Sequence, residues 1–309
     1  MDVKSLIKSQ VPVSNPFSKN FSNFSGSVGF TYAVNKKWNL KGNMARAFRA
    51  ASIPELASNG AHEGTNRYEY GNTSLSSETS LQFDASVEMN GEHFSFTASG
   101  YYNRFGNFIY YRKLQNTSGT DSLVEQDGKF LTAFTFGEQA AALYGIEITT
   151  DIHPHPLDWL HIENSFSFVR GQFMQMTAGS RNMPFIPAPR ILTEFRADMK
   201  KTGKHLKNCY AKCELESNFS QKNIYQAYNT ETATKGYVLL NMGLGGEFVS
   251  TQKKKWMEIY ITASNITDVA YQSHLSRLKY TSVNQVTGRM GVYNVGRNIG
   301  IKVIVPVEW

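Results

Sequence analysis

At 309 residues, with 41% apolar content and a negative mean hydropathy, the chain has the bulk composition of a water-soluble protein, and no apolar run long enough for a transmembrane helix occurs in it. A transmembrane barrel passes the same filter, because its strands need only every second residue apolar and the signal averages out in any window. The net charge of +7 gathers in short clusters (Lys36-Lys37, Lys200-Lys201, Lys253-Lys254-Lys255) at inferred strand ends and turns, with no basic helix or recognition module, which argues against nucleic acid as a partner.

Residues 1–22 read as loop, with Pro12, Asn15-Pro16 and several serines. The first ten residues lack the apolar core and cleavage site of a secretory signal, so a membrane reading carries the expectation that the chain is part of a longer precursor. Residues 24–34 then alternate, with Phe24, Val28, Phe30, Tyr32 and Val34 on one face and Ser25, Ser27, Thr31 and Ala33 on the other. Asn35-Lys36-Lys37 turns the chain into a strand over 38–48. Residues 46–72, RAFRAASIPELASNGAHEGTNRYEYGN, are polar and punctuated by Pro54, Asn59-Gly60, Gly64 and Gly71-Asn72, which is too long for a hairpin turn and reads as a binding loop.

Residues 79–89 alternate again, Leu81, Phe83, Ala85, Val87 and Met89 against Ser80, Gln82, Asp84, Ser86 and Glu88, and Asn90-Gly91 is a hairpin signal. Strands are then predicted over 93–111, 130–152, 158–170, 189–200, 206–219, 236–249, 256–264 and 294–307. Loops fall at 112–129, 171–189, 220–235 and 265–293, and the short turns include His153-Pro154-His155-Pro156 and Lys201-Thr202-Gly203-Lys204. Cys209, Ala211, Cys213 and Leu215 form one apolar strand face, and the two cysteines, about 13 Å apart, are too distant for a disulfide.

The count is eleven strands, with short and long connections alternating so that they segregate to opposite ends. Outer-membrane barrels have this arrangement, with short periplasmic turns and long extracellular loops. Trp38, Trp159 and Trp256 each open a strand after a short turn and Trp309 ends the last one, which places all four on one rim as interfacial aromatics, although Trp256 shares parity with Glu258. Eleven is odd, whereas single-chain bacterial barrels have even counts and plugged transporters about 22 strands. The predicted fold is therefore all-β, an antiparallel transmembrane barrel of which this chain supplies the last half.

The run FR-A-SIPEL-SNG-H-GT-YE-GN within residues 46–72 resembles the mid-barrel segment of TonB-dependent outer-membrane receptors, especially the zinc and haem branch, with Ala51 where that pattern has Pro. Residues 263–280, ASNITDVAYQSHLSRLKY, are similar to the NLTD-x-x-Y-x-x-HLSRLK stretch of the same receptors, and Gly296-Arg297-Asn298 to their terminal GRN strand, with Trp309 where Phe is usual. The resemblance implies a receptor of the outer membrane that takes up zinc, haem or an iron–siderophore through its outer loops. It further implies partners beyond this chain: an amino-terminal barrel half, a plug, and a TonB system acting through that plug. Neither catalysis nor a resident cofactor is implied.

The ligand-binding candidates in inferred outer loops are His62, Glu63, Arg67, Tyr68, Tyr70, Arg181, His274 and Arg277. His62 beside Glu63 suits Zn²⁺ or an approach to haem iron, with a solvated loop histidine as the plainer alternative. The His-Pro-His-Pro run has metal-like residues, but its place in a short turn favours a stiff connector. Asp84, Glu88, Glu147, Glu194, Arg196, Asp198 and Glu214 are expected on an interior face lining water or a plug. Two other classes remain open, a smaller outer-membrane barrel enzyme and a soluble all-β binding module. The sequence lacks a Gly-x-Ser-x-Gly motif, paired cysteine ligands and a phosphate loop.

Overall fold

The computed structural model describes residues 18–65, 67–201, 203–250 and 254–306; Trp309, Val307, Lys253, Thr202 and the first seventeen residues lie outside them. Among the described residues fifteen strands form one sheet. In chain order they are β1 (Gly26–Ala33), β2 (Trp38–Arg49), β3 (Asn59–His62), β4 (Arg67–Tyr70), β5 (Glu78–Asn90), β6 (Phe94–Lys113), β7 (Leu123–Gln126) and β8 (Lys129–Ile152). There follow β9 (Leu160–Thr177), β10 (Ser180–Asn182), β11 (Arg190–Lys201), β12 (Leu206–Asn218), β13 (Tyr237–Val249), β14 (Lys255–Ser264) and β15 (Asn298–Ile304). Eleven of them make the predicted antiparallel wall in the order β1-β2-β5-β6-β8-β9-β11-β12-β13-β14-β15. The wall is not closed, and β1 and β15 are its two edges.

Register keeps one apolar face continuous across the whole wall. Val28 pairs with Met44, Met44 with Phe83, Phe83 with Tyr102 and Tyr102 with Tyr144. Farther along, Phe195 pairs with Cys213, Cys213 with Met242 and Ile261 with Ile301. Side chains on this face are open to the surroundings, Val28 at 70%, Phe195 at 47% and Ile301 at 69%. The opposite face holds the expected charged residues, tied across strands by Lys212 Nζ to Glu194 Oε2 (2.8 Å) and Asn241 Nδ2 to Glu214 Oε1 (2.7 Å), and along β11 by Arg196 Nε to Asp198 Oδ1 (3.0 Å).

Several local expectations are corrected. Asn90-Gly91 does not form a two-residue turn with left-handed dihedrals; residues 91–93 bridge the strands, with Gly91 N–H donating to Phe94 O at 2.9 Å. The loops predicted at 112–129 and 171–189 contain hairpins, turned at Asp127-Gly128 (φ 50° and 74°) and Ala178-Gly179 (φ 43° and 82°), where both central residues take the positive φ that a type I′ turn needs. Cys209 keeps its expected place on the apolar face, opposite Met199 and against Gly246, while a bulge between Lys207 and Tyr210, with Asn208 at φ 49°, breaks the alternation just before it.

The three motif segments are folded caps. Ser52 and Glu55 form a capping box on the short helix α1 (Ile53–Ala57): Ser52 N–H donates to Glu55 Oε2 at 2.7 Å and Ser52 Oγ accepts from Glu55 N–H at 3.4 Å. Glu55 also meets Arg49 Nη1 at 2.7 Å, which pins the helix to the end of β2. The Ser-x-x-Glu spacing is visible in the sequence and marks this helix. The second and third motifs interlock, since Asp268 (φ 55°) accepts from Arg297 N–H at 2.8 Å and Arg297 Nε donates to Ile266 O at 2.8 Å.

Gly71 closes the first cap against α1, donating its N–H to Ser58 O at 2.6 Å; a Cβ there would lie 2.4 Å from Ala57 N and 2.5 Å from Leu56 C. Those are backbone atoms, which cannot rotate aside. Gly71→Ala is expected to cost about 1–3 kcal/mol, read as a lower urea midpoint of the protein in detergent, whereas Gly60→Ala, with open space around its Cβ position, is expected to leave the midpoint nearly unchanged.

Candidate functional site

The wall has five long connections (50–77, 114–128, 178–189, 219–236 and 265–297), all at one end. Their inner parts pack into the only region where large side chains are fully enclosed, with Tyr225, Phe173, Leu75 and Met183 below 2% exposure among the described residues. Tyr110, Phe173 and Tyr225 meet ring to ring at 4.6–6.0 Å and floor the assembly. Above them lies a cavity of about 160 Å³ to which every long connection contributes: Thr65 and Arg67, then Asp121, then Phe185, then Asn229 and Thr230, then Arg277, Tyr280 and Thr281, with Lys113, Thr132 and Phe134 from strand ends.

Three cations line it. Arg67 sits in β4, which runs parallel to the start of β8, and its Nε donates to Glu69 Oε1 at 2.6 Å while its guanidinium lies 3.8 Å above the Tyr111 ring. Lys113 Nζ meets Asp121 Oδ2 at 2.7 Å. Arg277 has no carboxylate at ion-pair distance among the described residues; its guanidinium stacks on the Phe185 ring. Burial, reinforced by the like charge of Arg67, pulls its pKa down to about 10, which still leaves it charged near neutrality.

A buried polar hub in the same loops bears electrostatically on Arg277, and Phe185, on which Arg277 stacks, is bonded to it. Glu231 accepts backbone N–H groups from Phe185 (2.7 Å) and Tyr225 (2.8 Å), and His274 Nε2 lies 3.6 Å from its Oε1. Lys279 Nζ donates to Thr232 O (3.2 Å) and Thr234 Oγ1 (2.9 Å) and approaches His274 Nδ1 at 3.4 Å. Lys279 can only donate, so His274 Nδ1 is the accepting nitrogen and Nε2 carries the proton that faces Glu231. Burial raises the Glu231 carboxyl above its ordinary value and lowers Lys279. His274 is pushed down to about 4, by burial first and by the positive charge of Lys279 and Arg277 after it.

Of the sequence candidates, Arg67 and Arg277 meet in the cavity and His274 stands behind it as a buried support. Tyr68 is buried, its hydroxyl donating to Asn59 Oδ1 at 2.9 Å and its ring 4.9 Å from that of Tyr70. Arg181 on β10 is exposed and does not line the cavity. His62 is exposed, hydrogen-bonded through Nδ1 to Thr65 Oγ1 at 3.0 Å, and belongs to no three-ligand metal cluster among the described residues; the Glu63 side chain lies outside those residues. Lys113, Phe185 and Tyr280 escaped the sequence reading because their convergence depends on how separate loops fold together.

A family model of TonB dependent receptor-like beta-barrels matches residues 3–266. The chain belongs to this family. Similar solved structures include the copper transporter OprC, 16% identical with a TM-score of 0.66 over 90% of this chain and 38% of that one. The siderophore receptor PirA from Acinetobacter baumannii is 16% identical with a TM-score of 0.60 over 91% and 40%, and a G324V mutant of the ferric enterobactin receptor PfeA from Pseudomonas aeruginosa 17% identical with a TM-score of 0.58 over 91% and 40%. At these identities the likeness shows the fold, and the chain spans about two fifths of the length of the structures it matches. In a TonB-dependent receptor barrel the apolar face meets lipid, the polar face lines the lumen, and long connections lie on the outer side.

A histidine whose folded pKa lies below its unfolded value of about 6.5 binds fewer protons folded than unfolded, so it destabilises the fold as pH falls from about 6.5 toward 4. The expected loss from His274 is about 3 kcal/mol at most. Glu231, held above its ordinary value, acts in the opposite sense once pH exceeds the carboxylate range. The His274 contribution is therefore read as a difference: between pH 7 and pH 4 the unfolding midpoint of the native protein falls more steeply than that of His274→Gln.

Proposed function

We propose that this chain is the carboxy-terminal part of the barrel of an outer-membrane receptor that takes up a metal as an anionic chelate. The observation that carries the reading is the cavity gathered from all five long connections, lined by Arg67, Lys113 and Arg277, the last without an ion-pair partner among the described residues, beside Phe134, Phe185 and Tyr280. Such a lining repels a bare divalent cation and attracts a ligand with negative groups and flat apolar surface. Of the three cargo classes that the resemblance implies, haem and iron–siderophore complexes have that character and free zinc does not. The similar solved structures include a copper transporter, a siderophore receptor and a ferric enterobactin receptor, which supports metal or chelate uptake as the class.

The two open edges support the further reading that other strands complete the barrel, because an unpaired edge in lipid leaves backbone donors and acceptors unsatisfied. On this reading Trp38, Trp159 and Trp256, all at the short-connection end and 38–64% exposed, sit at the periplasmic interface of the membrane. A plug inside the polar face and a TonB partner pulling on it supply gating and energy, so no residue of this chain is assigned a catalytic role.

Arg277→Ala is expected to weaken binding of an anionic ferric chelate at least tenfold, measured by fluorescence quenching on the receptor in detergent, with Arg277→Lys losing less. Added salt weakens the native interaction, and a neutral chelate is insensitive to the substitution. Equal affinity of native protein and Arg277→Ala for the anionic chelate, or tighter binding of Zn²⁺ salts than of any chelate at the cavity, would sink the reading.

A further inference from the structure

At the other end of the wall, the polar face carries a cluster of metal-ligand side chains unrelated to the loop cavity. Register assembles it. The β8–β9 ladder sets Asp151 opposite Glu163, and the β9–β11 ladder sets His161 opposite Arg196, so Asp151 and His161 project from the same polar face on neighbouring strands. His153, two residues past Asp151, opens the His-Pro-His-Pro turn with its N–H bonded to His93 O at 2.8 Å, which fixes the start of the turn.

One ligand atom from each of Asp151, His153 and His161 lies within 4.8 Å of the other two. His153 Nε2 stands 2.8 Å from Asp151 Oδ2, and the two imidazole rings are 4.3 Å apart between centroids. Asp198 Oδ2 approaches His161 Nε2 at 3.4 Å from β11. The other oxygen of Asp151, Oδ1, is buried and has no hydrogen-bond partner among the described residues. A simple Asp–His hydrogen bond accounts for one of these contacts. It leaves unexplained the orphaned carboxylate oxygen and the second imidazole brought against the first.

We propose that Asp151, His153 and His161 form a binding site for a divalent transition-metal ion, with Asp198 positioning His161. Two imidazoles and one carboxylate suit Zn²⁺, Cu²⁺ or Ni²⁺, whereas Ca²⁺ and Mg²⁺ take oxygen ligands. Three protein ligands leave a coordination position open to water or to a passing group, as in exchangeable rather than sealed zinc sites. A carboxylate on the second nitrogen of a ligating imidazole fixes its tautomer and ring orientation; with Asp198 Oδ2 on Nε2, His161 ligates through Nδ1 in this arrangement. The four side chains are 22–34% exposed, so an ion reaches them without unfolding the strands. The site lies on the lumenal wall near the short turns, and it stands whether or not the loop cavity takes an anionic chelate.

The test is a Zn²⁺ titration of the intact protein, extracted from membranes into detergent and competed against a chromophoric chelator. One ion per chain with a micromolar or tighter Kd is expected. His153→Ala and His161→Ala each weaken it at least tenfold, Asp198→Asn weakens it about tenfold, and His62→Ala leaves it unchanged. Cu²⁺ in place of Zn²⁺ gives an EPR spectrum with two nitrogen ligands that falls to one in either histidine variant. Each variant is first checked for native heat-modifiability on gels, and His153→Asn or His161→Gln replaces one that fails. No saturable ion, affinity indifferent to His153 and His161, or loss of binding in His62→Ala would overturn the assignment.

Discussion

Backbone hydrogen bonding in a medium without water is the constraint on which everything else here depends. A strand facing hydrocarbon must give every N–H and C=O to its neighbours, because an unpaired group costs several kcal/mol there. The wall meets this with ladders that pair nearly residue for residue, for example from Trp38–Met89 to Arg49–Glu78 between β2 and β5. Side chains are then left to satisfy two solvents at once. Period two follows directly, one face for lipid and one for the lumen, and it holds along the ladders except where register shifts, between Phe105 and Phe108 of β6, Lys207 and Tyr210 of β12, and Phe248 and Val249 of β13, interrupt it.

That rigidity sends specific chemistry to the connections. A wall residue on the polar face is held by its neighbours, as Lys212 is by Glu194 across the ladder and Glu214 on its own strand, and charges so paired make a lining rather than a site. In the long connections, desolvation changes the terms. Glu231 is enclosed among Phe185, Tyr225 and His274, and its carboxylate accepts backbone N–H groups and has no lysine or arginine at salt-bridge distance among the described residues. The cations around it are thereby left with charge to offer. Arg277 in particular is placed by an aromatic ring and by its neighbours in the chain, which orient a guanidinium without neutralising it.

The wall was legible in the sequence wherever lipid lies on one side and water on the other. Residues 24–34 and 79–89 alternate without error and fold as β1 and β5. Legibility ends where the loops fold over the polar face, since there both faces are apolar and period two disappears. Phe173 shows this: it stands on the parity of the polar face, yet it is 2% exposed beneath Tyr225, so the stretch after residue 170 reads as loop although β9 runs on to Thr177. The residues of the cavity were legible as types but not as a set. Arg67 and Arg277 stand out in the resembling motifs, whereas Lys113 and Phe185 join them only through loop packing.

The His-Pro-His-Pro turn marks the same boundary from the other side. Read along the chain, its two histidines face a one-dimensional choice between connector and chelate, and a short turn favours connector. The ladder adds the second dimension. It brings His161 and Asp198 from β9 and β11 to His153 while leaving His155 beside His93, with 5.3 Å between ring centroids, outside the cluster. The pair adjacent in sequence is thus split, and the histidine that matters to His153 lies across the β8–β9 turn. In a sheet whose strands are fixed by backbone pairing, ligand sets are written across strands, and a motif read along one strand finds only part of one.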